Sequence, residues 1–244
     1  FASRLRRDAT RVVAVSEAVS DWLRKEGLSD LVEVVHNGVD PPAEMPDQLD
    51  TRGRFDLPND GVVIGLFSQL VEHKGSLDFV SAAHQAAKSD STLHFLIAGH
   101  GPASFLQRLR EAIASGAAAD RIRLVPPQDE IWPLLAAVDA TAVTTLWPDP
   151  LPRIVMEAMA VGLPVIGYTG GGVAEMVVDG KTGVLCTRGD VDGLAAAMVR
   201  VAKDEELRRQ LGNAGRERSQ RLFSVKRHVD LIEAALQSAS ISAR

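Results

Sequence analysis

The chain has 244 residues, of which 45% are hydrophobic and 24% charged, with a formal net charge of -5 and a single cysteine. That length suits one large α/β domain, or one domain plus part of another, and the acidic balance argues against a general nucleic-acid role, which needs a basic face. The lone Cys186, in the apolar run Val184-Leu185-Cys186, forms no internal disulfide and reads as a small buried hydrophobe, and no stretch approaches the ~18 apolar residues of a membrane span.

In chain order, short apolar runs alternate with longer amphipathic stretches. Residues 11–16 (RVVAVS) read as a buried strand and 17–26 as a helix stopped by Gly27. Residues 32–36 (VEVVH) read as a second strand ending at the turn pair Asn37-Gly38. The stretch after it is rich in Pro, Asp and Gly and has no clear period, which predicts a linker at a domain boundary. Beyond it, strands are expected at 62–67, 93–98, 122–125, 140–144, 165–168 and 184–186, with helices at 77–88, 103–114, 131–138, 154–161 and 191–202. Continuous apolar strands separated by helices predict an α/β fold, a Rossmann-like doubly wound parallel sheet with both faces covered. The tail is helical, with Leu207, Leu211 and Ala214 recurring on one face and Val229, Ile232 and Leu236 on another.

Sheets of this kind bind ligands in the loops at the carboxyl ends of their strands, and four such loops stand out. In the first, Gln69 precedes Lys74-Gly75 at a helix start; the lysine ammonium beside helix N–H groups suits a diphosphate, the alternative being a solvated lysine. In the second, Gly99-His100-Gly101 lets the backbone approach a ligand closely, or makes an ordinary tight turn. The third runs from Asp149 through Leu151, Pro152 and Arg153 to Glu157 inside the following helix. Either carboxylate can accept from the vicinal hydroxyls of a ribose or hexose, while a helix-surface glutamate remains the alternative for Glu157. The fourth, Gly170-Gly171-Gly172, offers an anion nest of backbone N–H groups or a flexible connector. Asp190-Val191-Asp192 matches the D-x-D pattern of metal-dependent sugar transferases but precedes a helix, so it reads as a cap; the six histidines show no metal-ligand spacing.

Taken together and in this order, the motifs resemble the glycosyltransferase group 1 family (family 4), whose members are retaining enzymes with the GT-B fold of two facing Rossmann-like domains. Val13–Ser16 and Val34–Asp40 resemble the end of its N-terminal domain. Lys74-Gly75, Gly99–Pro102, the run from Glu157 to Ile166, and Gly170–Glu175 with Asp179–Gly183 resemble its C-terminal domain. The resemblance implies a last β-α-β segment of the acceptor domain at 1–40, an interdomain linker at 41–59, a nucleotide-sugar-binding domain at 60–222 and a C-terminal helix at 223–244. It implies a fragment that holds a UDP-, GDP- or ADP-sugar without a metal or other cofactor, inactive in transfer without its missing N-terminal domain. The unknown acceptor is a sugar, a lipid-linked sugar or a small molecule, and the complete protein is expected in the cytoplasm, peripheral at the inner face of the membrane.

By the same resemblance, Lys74 contacts the donor diphosphate and Glu157 the ribose. Asp149 takes the first acidic place of an E-x7-E motif facing the donor sugar, the backbone of Leu151, Pro152 and Arg153 lies near sugar and phosphate, and Gly170–Gly172 sits at the cleft mouth. The chain departs from the family pattern in four places. Gln69 stands where arginine is usual, Asp149 where glutamate is, Leu151-Pro152 where Phe-Gly is, and Pro126 near a common glycine. Those departures keep a non-catalytic nucleotide-binding scaffold as an alternative function, beside a GT-B-like sugar-nucleotide epimerase.

Overall fold

The computed structural model describes residues 2–242; Phe1 and the last two residues of the expected 223–244 helix lie outside the described residues. The chain opens with helix α1 (Ala2–Asp8), strand β1 (Val12–Ala14), helix α2 (Glu17–Leu23) and strand β2 (Val32–Val34). Ser16 starts α2 because its hydroxyl accepts the Val19 N–H at 3.2 Å. A π turn at Arg24–Leu28 ends it, with Gly27 at a φ of 87°. β1 and β2 pair in parallel with Val12 opposite Val32, and Ala14, Leu23 and Leu28 are buried between sheet and helix. Two strands make a marginal sheet, and Val13 and Trp22 remain 39% and 50% exposed.

The stretch read as an aperiodic linker holds a helix that the sequence reading lacks, α3 (Gln48–Arg54), capped by the Asp47 carboxylate on the Leu49 and Asp50 N–H groups. Its pattern is hidden because a charged residue faces inward: Arg52 is 3% exposed. The guanidinium donates to Asp139 at 2.6 Å and to the carbonyls of Ala137 and Asn59 at 3.1 Å.

The larger sheet follows: β3 (Val62–Phe67), α4 (Ser76–Ser89), β4 (Leu93–Ala98), α5 (Ala103–Ala114), β5 (Ile122–Val125), α6 (Trp132–Ala136), β6 (Ala140–Val143), α7 (Arg153–Ala160), β7 (Val165–Tyr168), α8 (Val173–Met176), β8 (Gly183–Cys186) and α9 (Val191–Lys203), then α10 (Glu205–Leu222) and α11 (Val225–Ser242). Its six strands are all parallel in the order β5-β4-β3-β6-β7-β8, the expected doubly wound sheet. Burial explains the unbroken apolar runs. Val62, Ile64 and Leu66 of β3 face one core with α4, α5 and α9, while Val63 and Phe67 face the other with α6 and α7. The strand order reverses between β3 and β6, and the carboxyl ends of that adjacent pair open a crevice.

Two expectations about charge and pattern resolve differently. Asp190 does cap α9, accepting the Gly193 N–H at 2.8 Å. The apolar stripe of α11, by contrast, is only partly covered: Val229 and Leu236 are 44% and 66% exposed, whereas Ile232 is half-buried and the neighbouring Ala235 is buried. No helix among the described residues is long and apolar enough to cross a membrane.

Candidate functional site

The site grows from the two strands at the reversal point. β3 leads into a 3-10 turn, Glu72–Lys74, capped by Gly75 at a φ of 70°. A Cβ on Gly75 would lie 1.9 Å from the Thr144 carbonyl oxygen just past β6, so only glycine lets these loops approach. Thr144 Oγ1 sits 2.9 Å from the Gly75 carbonyl and 3.1 Å from that of Lys74, one proton shared between two acceptors. Leu146 N–H donates to the His73 carbonyl at 2.8 Å. The two loops are thereby stitched backbone to backbone, and their charged side chains meet: Lys74 Nζ donates to Asp149 Oδ2 at 2.5 Å, with both side chains mostly buried.

Glu157 lies one turn into α7 and is 6% exposed. Arg153, four residues before it, reaches back from solvent to donate to Oε1 at 2.6 Å. The Glu157 carboxylate borders a cavity of about 190 Å³ that is also lined by Ser68, Gly99, His100, Pro127 and Gln128. A narrower recess beside it is lined by Lys74, Thr144, Thr145, Asp149 and Pro152, and the two share Phe67, Ser68 and Ile154. A two-part cleft results, with a carboxylate at one end and an ammonium–carboxylate pair at the other.

Of the residues singled out from sequence, Lys74, Gly99, Asp149, Pro152 and Glu157 converge on this cleft. Gln69 is exposed and lines neither recess. Gly101 packs against the Leu70 carbonyl instead of facing the cleft. Leu151 is buried beneath the loop, and Arg153 enters through its contact with Glu157. The glycine loop packs against the loop that carries Asp149. Gly172 N–H donates to the Asp149 carbonyl at 2.9 Å and Val173 N–H to that of Gly170 at 3.2 Å. The Gly172 N–H is thus engaged within the protein, because the loop braces the Asp149–Leu151 backbone, where a Cβ on Gly171 or Gly172 would collide.

Sequence reasoning missed Thr144, Thr145, Pro127 and Gln128 as lining residues and gave no role to Ser68, which opens the first of the four loops. Thr144-Thr145 carried a signal, since two hydroxyls directly follow an apolar strand, whereas Gln128 stands in a loop of no distinctive pattern. It also assigned nothing to Glu175. That carboxylate leaves the glycine loop to accept the Glu17 and Ala18 N–H groups at 2.8 and 2.7 Å, capping α2, and approaches His36 Nε2 at 3.3 Å.

Comparison with known proteins matches this architecture. Residues 47–218 match the family described as glycosyl transferases group 1. The chain is 31% identical over 245 residues to the D-inositol 3-phosphate glycosyltransferase of Salinispora tropica, covering 93% of this chain and 50% of that protein. It is 30% identical over 211 residues to the 2-deoxystreptamine glucosyltransferase of Streptomyces kanamyceticus, covering 81% and 52%. Among solved structures, HepE of Anabaena in complex with UDP-glucose superposes with a TM-score of 0.88 at 26% identity, over 97% of this chain and 66% of that one. The chain spans about half the length of the curated relatives it matches.

Proposed function

The chain belongs to the glycosyl transferases group 1 family, and from that premise we propose that its cleft holds the nucleotide-sugar donor of a glycosyl transfer. The observation that carries this reading is the convergence of Glu157 and the Lys74–Asp149 pair on adjoining recesses at the sheet's reversal point. In this reading the base and ribose occupy the larger recess, where Glu157 accepts from the ribose hydroxyls. The diphosphate lies against Lys74, and Asp149 faces the sugar. A UDP-sugar is the first donor to test, ahead of GDP- and ADP-sugars, because HepE was solved with UDP and glucose.

The reaction is proposed to retain configuration and to need no metal, the charge of the leaving diphosphate being met by Lys74 and by nearby backbone dipoles. Asp190, the first acid of the D-x-D pattern, caps α9. Because the chain spans about half the length of its curated relatives, transfer itself, the acceptor and a facing domain belong to the whole protein in this proposal. A cytoplasmic location of the whole protein is part of the same proposal.

The test is calorimetric titration with UDP, GDP, ADP and their glucose-bearing forms. UDP is expected to bind, and Glu157→Ala to weaken it about tenfold or more, the worth of a charged hydrogen bond. Removing Glu157 leaves Arg153 in solvent, with 74% of its side chain exposed, so affinity should fall with little change in stability. Absence of binding by any of these nucleotides at millimolar concentration would defeat the proposal.

A further inference from the structure

Directly beside the Lys74–Asp149 pair stands a second pair contributed by the same two loops. His73 precedes Lys74, and Trp147 lies two residues before Asp149; their rings stack at 5.3 Å between centroids and 25° between planes. The His73 carbonyl also accepts the Leu146 N–H, so both the ring and the backbone of this corner are held. Pro148 follows and restricts the Trp147 backbone further. Despite this anchoring Trp147 is 68% exposed. It lines neither of the two recesses assigned to the donor. Isolated exposed apolar residues need no explanation, but a loop indole held by a stacked ring at the rim of a reactive site is a prepared surface, since its ordering cost has already been met before a ligand arrives.

We infer that Trp147, braced by His73, is the platform on which the acceptor's own sugar ring stacks, which makes it a specificity-determining residue; this rests on the glycosyl-transfer reading. A pyranose presents a face of C–H groups that packs flat against an aromatic ring, while its hydroxyls point outward to polar partners. Trp147 borders neither recess assigned to the donor, and His73 takes one face of its ring, which leaves the other face to a second molecule.

The experiment uses the Trp22→Phe/Trp132→Phe variant, in which Trp147 is the sole indole, with UDP present. Methyl pyranosides of glucose, galactose, mannose and N-acetylglucosamine are titrated while its fluorescence is read, with glycerol as the control polyol. A saturable change with at least one pyranoside and none with glycerol is expected. Saturation-transfer NMR on Trp147→Ala should show that pyranoside binding weakened about tenfold, with Trp147→Phe close to the parent, since the phenyl ring keeps a flat face. Calorimetry should find the UDP affinity unchanged in both. No saturable response to any pyranoside overturns the inference, as does a loss in Trp147→Ala that falls on UDP-glucose and not on the methyl pyranosides. Failure of UDP to bind the parent protein would count against the donor reading, while the pyranoside titration, repeated without UDP, would still report on Trp147.

Discussion

Lys74 and Asp149 are 75 residues apart in sequence, yet the lysine ammonium donates to the carboxylate at 2.5 Å across the crevice between neighbouring strands. Each charge compensates the other. A diphosphate arriving at Lys74 therefore competes with Asp149 for the same ammonium. Two substitutions separate their roles. Lys74→Ala removes the cation and leaves a mostly buried carboxylate facing the phosphates, so UDP should bind about tenfold or more weakly. Asp149→Asn keeps the shape and frees the ammonium, so UDP should bind as well as before or tighter, while UDP-glucose loses a sugar contact. Isothermal titration of both variants decides; an Asp149→Asn variant that loses UDP as severely as Glu157→Ala does would show the division of roles to be wrong.

The buried arginine of α3 makes a prediction about stability. Arg52 and Asp139 form a mostly buried pair, and Asp139 also accepts the Val63 N–H at 2.7 Å at the start of β3. Arg52→Met should cost about 3 kcal/mol in urea unfolding, the low end for breaking such a pair, because the Asp139 side chain is a quarter exposed and gains some water. Adding Asp139→Asn, which still accepts from Val63, should recover part of that loss. Simple additivity of the two substitutions would mean that the pair is not coupled.

Glu175 ties the small β1–β2 unit to the larger sheet. Its carboxylate caps α2 through two N–H groups, and its own backbone is held independently, since Arg218 donates to the Glu175 and Met176 carbonyls at 2.7 and 2.8 Å. Glu175→Ala should therefore leave the glycine loop in place and loosen α2 by about 1 kcal/mol, the worth of a helix cap. Hydrogen exchange should quicken at Glu17 and Ala18 and through α2, with β3 to β8 unaffected. Exchange that stays uniformly slow across α2 would show that the small unit holds itself together without this contact.

Cys186 gives a pH test. Burial pushes its thiol above the ordinary range, and the nearby Asp190 and Asp179 carboxylates push it further in the same direction. The folded protein thus favours the protonated, unreactive thiol, whereas the unfolded chain ionises at the ordinary thiol pKa. Alkylation by iodoacetamide at neutral pH should be slow in the folded protein and fast in urea. Stability should fall as pH rises past the ordinary thiol pKa, because only the unfolded state releases the proton there. Fast labelling of the native protein would contradict the burial.

Local pattern alone determined which segments became the strands of the large sheet. Val62–Phe67 is apolar without interruption because both faces of this central parallel strand are covered, while His94 and Arg123 break the runs of Leu93–Ala98 and Ile122–Val125 nearer the sheet's edge. The positions of Lys74, Asp149 and Glu157 in strand-end loops or just inside the following helix were legible for the same reason. Sequence periodicity, however, reports how a segment is buried and not what it is buried against. Strand order joined Lys74 to Asp149, and packing across 158 residues set Glu175 on the start of α2. An inward-facing arginine concealed α3, since its burial is satisfied by Asp139 and two carbonyls instead of by apolar contact. The glycine loop pattern was visible, but whether its N–H groups would face a ligand or the Asp149 carbonyl depended on how closely two distant loops approach, and that is decided only when the chain is packed.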